Sequence, residues 1–196
     1  MDVKTIAVIG AGVAGRGIAY AAALGGYRTV LEDVSPDRLA EGTGFIREAL
    51  EGGVARGNVS AQQKKRAIAN LSTARSVEDA CRQGDLLIEA VAEEMEVKLE
   101  IFTIFDKFAK PNAILATTTS LLSIAEIASI TFRTEDCIGM RFFHPVPKLE
   151  RLEVVRALES SDATVAACVD VGRRMGAEVV VVREPSGMSS SAASGE

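Results

Sequence analysis

The sequence predicts a doubly wound α/β fold, in which helices cover both faces of a mostly parallel sheet. Short apolar runs rich in β-branched residues alternate with segments of helical periodicity along the 196 residues. The first of these runs leads into a glycine-rich turn, and the second ends in an acidic pair. A chain that is 47% hydrophobic can bury one substantial core, with room for little more than one domain.

The glycine-rich turn has the pattern Gly-x-Gly-x-x-Gly and follows the apolar run at 5–9. Gly10 permits a tight turn, Gly12 lets a pyrophosphate approach the backbone, and Gly15 lets helix and strand pack closely. An alanine-rich helical pattern follows at 18–24, so the pyrophosphate is expected against the free N–H groups at a helix N-terminus. This order predicts a dinucleotide-binding βαβ unit of the Rossmann type. The expected contacts are the backbone groups of Gly10, Gly12, Val13, Ala14 and Gly15.

The second apolar run, at 29–31, ends in Glu32 and Asp33. Asp33 can accept hydrogen bonds from both ribose hydroxyls of NAD, and its charge would repel the 2′-phosphate of NADP. The next arginine, Arg38, is five residues on and already within a predicted helix. NAD is therefore the expected cofactor. FAD shares the opening glycines, but no later feature of the sequence favours it.

The remaining elements have their own signals. Ser35 and the proline after it predict the N-cap and first turn of a helix that we expect the glycines at 52–53 to break. Ser60 and the glutamine three residues later predict a capping box for a second helix, which ends before Leu71. Further strands are predicted at 85–91, 113–117, 138–143, 152–155 and 177–182, with helices over 97–105, from Ser123 and near 164–175.

About 37 residues separate Asp33 from Leu71, whereas a crossover usually needs a dozen or so. The sequence therefore predicts a helical hairpin, at about 35–70, inserted beside the cofactor cleft. From 52 to 70 this segment has four cations and no acid, in a chain of net charge −5. The cluster indicates contact with an anionic ligand such as phosphate; the alternative is a solvated helix face. Its members are Arg56, Lys64, Lys65 and Arg66.

Composition excludes several other functions. The acidic balance, with a pI near 5.1, argues against nucleic acid as the main partner. No apolar run approaches 18 residues and no charged leader precedes an apolar stretch, so neither a membrane span nor a signal peptide is expected. Three widely spaced cysteines and a single histidine predict no disulfide framework and no metal site, and they fit a reducing cytoplasm.

Four ordered motifs point further. They are 10–19, then 88–94 with Lys98, then 118–124, and finally Arg-Phe-Phe-His-Pro-Val-Pro at 141–147 running into 152–155. With them the chain resembles the NAD-binding domain of the L-3-hydroxyacyl-CoA dehydrogenases, including the 3-hydroxybutyryl-CoA dehydrogenases, from Lys4 to about Gly187. The resemblance implies NAD-dependent oxidation of a 3-hydroxyacyl-CoA to the 3-ketone, in fatty acid metabolism, with an acyl-CoA as substrate. It also implies that the hairpin helps bind coenzyme A.

The resemblance also assigns residues. Glu93 and Lys98 belong to the cofactor site, and Ser120 lies between the nicotinamide and the substrate. In the family a histidine takes the hydroxyl proton and a glutamate twelve residues later orients it. Here Glu153 fills the glutamate position, but Arg141 fills the histidine position.

His144 stands where the family has an asparagine, beside the cofactor. Arg141 cannot act as a base, because its guanidinium stays protonated at physiological pH, although it can donate to a ketone or alkoxide oxygen. Either His144 supplies the proton transfer, or Arg141 pairs with Glu153 and His144 is an ordinary polar residue.

The family continues into a helical C-terminal domain that completes the acyl pocket and forms the dimer. Here the expected domain is 1–187, and 188–196 is small and polar, as in a loose tail or the start of that missing domain. Two functions stay open: a 3-hydroxyacyl-CoA dehydrogenase, or the cofactor domain of one, and a non-catalytic NAD-binding module.

Overall fold

The structure, a computed structural model, describes residues 1–143 and 149–184. Its strands are β1 (Thr5–Ile9), β2 (Arg28–Glu32), β3 (Leu71–Thr73), β4 (Leu86–Glu89), β5 (Ile114–Thr117), β6 (Cys137–Phe142), β7 (Arg151–Arg156) and β8 (Glu178–Arg183). Its α-helices are α1 (Val13–Leu24), α2 (Pro36–Ala55), α3 (Ala61–Asn70), α4 (Val77–Gln83), α5 (Met95–Phe108), α6 (Ile124–Ala128) and α7 (Asp162–Arg174). A 3₁₀ turn at Thr134–Asp136 precedes β6.

All eight strands form one sheet in the order β3-β2-β1-β4-β5-β6-β7-β8. Every neighbouring pair is parallel except β6 and β7, which are antiparallel. The order of strands reverses between β1 and β4, so the loops after these two strands open a crevice at the carboxyl edge of the sheet. The predicted doubly wound fold with a mostly parallel sheet is confirmed.

Helices cover both faces of the sheet because successive side chains of each strand point to opposite sides. In β4, Leu86 and Ile88 join a core beneath α1, the α2–α3 pair and α7, whereas Leu87 joins a core beneath α4, α5 and α6. The central strands are buried throughout. This two-sided burial explains why they appear in the sequence as continuous apolar runs without alternation.

The hairpin of α2 and α3 packs on α1. Ser35 caps α2 by accepting from the N–H of Arg38, and the capping box at Ser60 is formed in both directions. The expected break at 52–53 is wrong, because α2 continues to Ala55. Gly53 serves packing instead: a Cβ there would lie 2.7 Å from a methyl of Val59.

Some elements differ from the sequence prediction. Helix α4, capped by Ser76, and the 3₁₀ turn were not predicted. Helix α1 begins at Val13, five residues before its apolar pattern becomes recognisable. The other strand and helix bounds differ from prediction by up to two residues, within the variation of helix and strand ends, except that α5 ends three residues beyond the predicted 105, at Phe108. No helix in the described ranges is both long and apolar enough to cross a membrane.

Candidate functional site

The glycine turn between β1 and α1 is shaped by close backbone contacts. Gly10 has φ of +101°, and a Cβ there would lie 2.6 Å from the carbonyl oxygen of Ala90, just after β4. A Cβ at Gly15 would overlap the carbonyl of Gly10. By contrast, nothing lies within 4 Å of the Cβ position at Gly12, so an incoming group can approach the backbone there. Gly10 and Gly15 thus have the predicted local roles, while the approach of a pyrophosphate to Gly12 stays a prediction.

Helix α1 has Gly12 as its N-cap and no side chain caps it. Its first backbone N–H groups can therefore meet an anion. Asp33 lies beside this turn, with one carboxylate oxygen 2.8 Å from the N–H of Ala11 and the other 2.8 Å from the N–H of Ser35. A carboxylate has about four acceptor positions, so Asp33 can still accept from two hydroxyls. The turn and the acid fit a dinucleotide.

A second acid, Glu32, ends β2 and is buried with 4% exposure. Its burial, together with the negative charges of Asp33 and Glu78, raises the pKa of Glu32 to about 7. The two acids therefore lie in different environments: Glu32 is buried, whereas the carboxylate of Asp33 bonds to the glycine turn. This division was not predicted from the sequence.

A buried charged cluster joins β4 to the loop after it. Lys98 of α5 is fully buried, and its Nζ lies 2.7 Å from Glu89 Oε1 and 3.2 Å from Glu93 Oε2. Glu89 is fully buried as well and accepts from the hydroxyl of Thr117 and the N–H of Val91. Lys98 was predicted at the cofactor site. Its ammonium is buried, and it contacts the carboxyl edge of the sheet only through its ion pair with Glu93.

Glu93 organises the loop after β5. Its Oε1 accepts from the Thr119 hydroxyl at 2.5 Å and from the N–H groups of Ser120 and Leu121 at 2.9 and 3.1 Å. Burial alone would raise the pKa of Glu93, but these hydrogen bonds, first that from Thr119, and the charge of Lys98 lower it. Ser120 is exposed, and its hydroxyl forms no hydrogen bond within the described chain. That hydroxyl is free to meet a ligand.

Arg141 and Glu153 lie directly opposite each other in the antiparallel pair β6–β7. The Nε of Arg141 donates to the carbonyl of Thr119 at 3.1 Å, which brings this guanidinium to the Ser120 loop. Glu153 instead accepts from Arg151 on its own strand at 2.8 Å. The alternative in which Arg141 and Glu153 form an ion pair is therefore wrong, since both residues are described and no bridge joins them.

The basic cluster of the hairpin is only partly free. Lys64 pairs with Glu51 of α2 at 2.9 Å, so an acid outside the 52–70 window neutralises it. Arg56, Lys65 and Arg66 are exposed. The described ranges hold no group of three side chains able to bind a metal ion. His144 lies outside the described residues.

Several residues of this site were not predicted. Glu89 and Thr117 are the last residues of the adjacent strands β4 and β5. For Glu89, the signal in the sequence was an acidic residue after a run of apolar residues. Glu184, which bonds to the N–H groups of Ile124 and Ala125, is 60 and 59 residues from these partners, so no local pattern in the sequence indicated the bonds. Such long-range bonds depend on the tertiary fold.

Together these features define a dinucleotide-binding domain of the Rossmann class, with polar groups gathered at the carboxyl edge of the sheet beside the crevice. Residues 5–185 match the model of the family described as 3-hydroxyacyl-CoA dehydrogenase, NAD binding domain. The chain belongs to this family, and its cofactor is NAD.

Relatives agree with this assignment. The 3-hydroxybutyryl-CoA dehydrogenase of Bradyrhizobium diazoefficiens is 39% identical over 179 residues, 91% of this chain and 61% of the relative. The mitochondrial hydroxyacyl-coenzyme A dehydrogenase of Sus scrofa is 34% identical over 191 residues, 94% of this chain and 60% of the relative. The crystal structure of (S)-3-hydroxybutyryl-CoA dehydrogenase from Ralstonia eutropha superposes with a TM-score of 0.89 at 31% identity, covering 95% of this chain and 65% of that one. The chain thus spans under two thirds of the length of these relatives.

Proposed function

We propose that this chain is the cofactor domain of an NAD-dependent dehydrogenase that oxidises 3-hydroxyacyl-CoA to 3-oxoacyl-CoA in fatty acid metabolism. One observation supports this most directly. The glycine turn, Glu93, Ser120 and Arg141 lie at the carboxyl edge of adjacent strands β1, β4, β5 and β6. Cofactor groups and reaction groups therefore share one crevice.

NAD supplies the hydride acceptor when bound. In the proposed arrangement the N-terminus of α1, including Val13 and Ala14, binds the pyrophosphate and Asp33 binds the adenosine ribose. Glu93 lies on the nicotinamide side, where the hydrogen bonds from Thr119 and Ser120, together with the charge of Lys98, favour its ionised form. Ser120 presents its free hydroxyl between nicotinamide and substrate.

The proton of the substrate hydroxyl needs a separate acceptor. Arg141 cannot be that acceptor, but its remaining N–H donors can stabilise the substrate oxygen as ketone or alkoxide. Glu153 stands opposite Arg141 and keeps its family position. His144 is one candidate for that acceptor, because the unperturbed pKa of a histidine lies near neutral pH; Ser120 or water is the other.

The hairpin is proposed to bind the coenzyme A part of the substrate. The exposed cations Arg56, Lys65 and Arg66 can meet its phosphates, whereas Lys64 first has to leave Glu51.

The three cysteines, Cys81, Cys137 and Cys168, are buried and free. This supports a reducing compartment such as the cytoplasm.

A non-catalytic NAD-binding module remains the second candidate, and Arg141 favours it. At the position where the family has its base, this chain has a group that stays protonated and that bonds to a backbone carbonyl. On this alternative, the dinucleotide binds but acyl-CoA does not.

Acyl-CoA binding separates the two candidates. Adding acetoacetyl-CoA to the chain with bound NADH should change the NADH fluorescence if the dehydrogenase proposal is correct. An unchanged signal at millimolar acetoacetyl-CoA, with NADH still bound, would leave the module as the better description.

Turnover tests the reaction groups. The position of the family's base holds Arg141, and a general base contributes about 10²–10⁴ in rate, so we expect oxidation of 3-hydroxybutyryl-CoA by this chain to be very slow or not measurable. Ordinary dehydrogenase rates of about 1–10³ per second, abolished in His144→Ala, would show that this expectation is wrong and that His144 is the base. Such rates retained in His144→Ala would exclude His144 and leave Ser120 or water as the route for the proton.

A further inference from the structure

The segment that includes Ser120 is held by a second carboxylate, from Glu184 just after β8. One oxygen of Glu184 lies 2.6 Å from the N–H of Ile124, and the other lies 3.1 Å from the N–H of Ala125. These are the first two residues of α6. Charge-assisted bonds of this kind are roughly twice as strong as bonds between neutral groups.

The two carboxylates hold the segment at its two ends. Glu93 binds the N–H groups of Ser120 and Leu121, and Glu184 binds those of Ile124 and Ala125. Two residues alone separate the two anchored pairs. A change at either end therefore alters the backbone that presents the Ser120 hydroxyl.

The Glu184 end of the segment is also fixed by side-chain packing. Ile124 is fully buried with Val155 and Ala157 in a small core of its own. Gly139 of β6 makes room for it, because a Cβ at that position would overlap the end of the Ile124 side chain. With the side chain fixed below and the N–H fixed by Glu184, the end of the loop has little freedom to shift.

We propose that Glu184 is a positioning residue for Ser120 and thereby for the nicotinamide half of the bound cofactor. This proposal rests on the proposed placement of Ser120 beside the nicotinamide. The adenosine half should be independent of Glu184, since the glycine turn and Asp33 follow β1 and β2, on the far side of β4 from the Ser120 loop after β5. The effect of Glu184 on the binding of each half of the cofactor can therefore be measured separately.

The test compares the affinities for NADH and for ADP-ribose, which lacks the nicotinamide. Glu184→Gln keeps the size of the side chain but removes its charge and one of its two acceptors. We expect the Kd for NADH to rise about three- to tenfold, the effect of weakening a bond to a charged group, while the Kd for ADP-ribose changes less than about twofold. Glu178→Gln, the same change at the exposed opposite end of β8, should leave both values unaltered.

A double-mutant cycle identifies the path of the effect. If Glu184 acts through Ser120, Glu184→Gln should have little further effect on NADH binding in a Ser120→Ala background. Fully additive losses, equal losses for NADH and ADP-ribose, or no loss for either would overturn the positioning role. If the unaltered chain binds neither ligand, the proposed cofactor site itself fails, which is a different result.

Discussion

At the scale of single residues, Glu32 and Asp33 differ by one position and lie in opposite environments. Asp33 bonds to the backbone of the glycine turn and faces the crevice, whereas Glu32 is buried beside Glu78 at the end of β2. The place of Asp33 beside the glycine turn could be predicted because its distance from the glycine motif is a feature of the sequence. The burial of Glu32 could not, since it depends on how α4 packs against the sheet.

The charge of Asp33 should determine the choice of cofactor. We expect the unaltered chain to bind NADH at micromolar concentrations and to prefer it to NADPH about 100-fold or more, because bringing like charges together costs several kcal/mol. In Asp33→Ala this preference should fall by at least about tenfold, as measured by NAD(P)H fluorescence titration. Asp37→Ala, which removes an exposed acid in the first turn of α2, is the matched control. Equal or tighter binding of NADPH by the unaltered chain would contradict the assignment of Asp33.

Glu32 should make stability depend on pH. Its pKa is about 7 in the folded chain and near 4.5 when unfolded, so between these values the folded state binds more protons and stability falls as pH rises. Glu32→Gln should therefore unfold like the parent chain near pH 4. Above pH 7 it should be more stable by on the order of 2–3 kcal/mol in urea titrations. Exposed Glu48→Gln should show no such gain, and a Glu32 variant with a constant difference at all pH values would contradict the pKa.

At the scale of elements, caps and apolar runs predicted the helices and strands reliably, whereas the glycine pair at 52–53 did not mark a helix end. Both hairpin helices begin at the predicted serines, because an N-cap bond is local and lies within three residues. The glycines at 52–53 were predicted to end α2, but in the structure they let the helix approach its neighbours. Helix α4 was missed although Ser76 accepts from the N–H of Asp79, the same capping pattern that revealed the other helices.

The exposed cations of the hairpin should make acyl-CoA binding sensitive to salt. We expect acetoacetyl-CoA to bind more weakly as salt rises, because exposed charges are screened within about 8 Å at physiological ionic strength. The double change Lys65→Gln and Arg66→Gln should weaken it further and leave NADH binding unaltered. The corresponding change at Arg75 and Arg173, also exposed, serves as the control. If the affinity for acetoacetyl-CoA changes with neither the salt concentration nor the double substitution, the hairpin cations form only a solvated face.

At the scale of the whole molecule, the order of elements along the chain was enough to predict the fold. Alternating strands and helices, together with the glycine motif, predicted a doubly wound sheet, whereas the strand order that places the crevice between β1 and β4 was not predicted. The site was predictable only where a motif marks it. The partners of Lys98, Arg141 and Glu153 follow from packing and strand register, which no local pattern reveals.

Because NAD binds only the folded domain, it should stabilise the whole chain. At a concentration 100 times its Kd, a ligand adds about 2.7 kcal/mol. For a domain of this size that corresponds to a rise in Tm of about 5–10 °C, measurable by differential scanning fluorimetry. NADP at the same concentration should raise the Tm much less. No shift with NAD at saturating concentration would contradict the cofactor assignment.

The register of β6 and β7 also restricts how this chain could change. Arg141 and Glu153 face each other across two strands, but the carboxylate is already bound by Arg151. A histidine placed at position 141 would therefore share Glu153 with Arg151, which already binds one of its two oxygens. We expect Arg141→His to raise the rate less by itself than together with Arg151→Gln, because only the double variant leaves the whole carboxylate to the imidazole. The effects of the two substitutions should then not be additive, so the order in which they arise would matter on a mutational path towards the family's base.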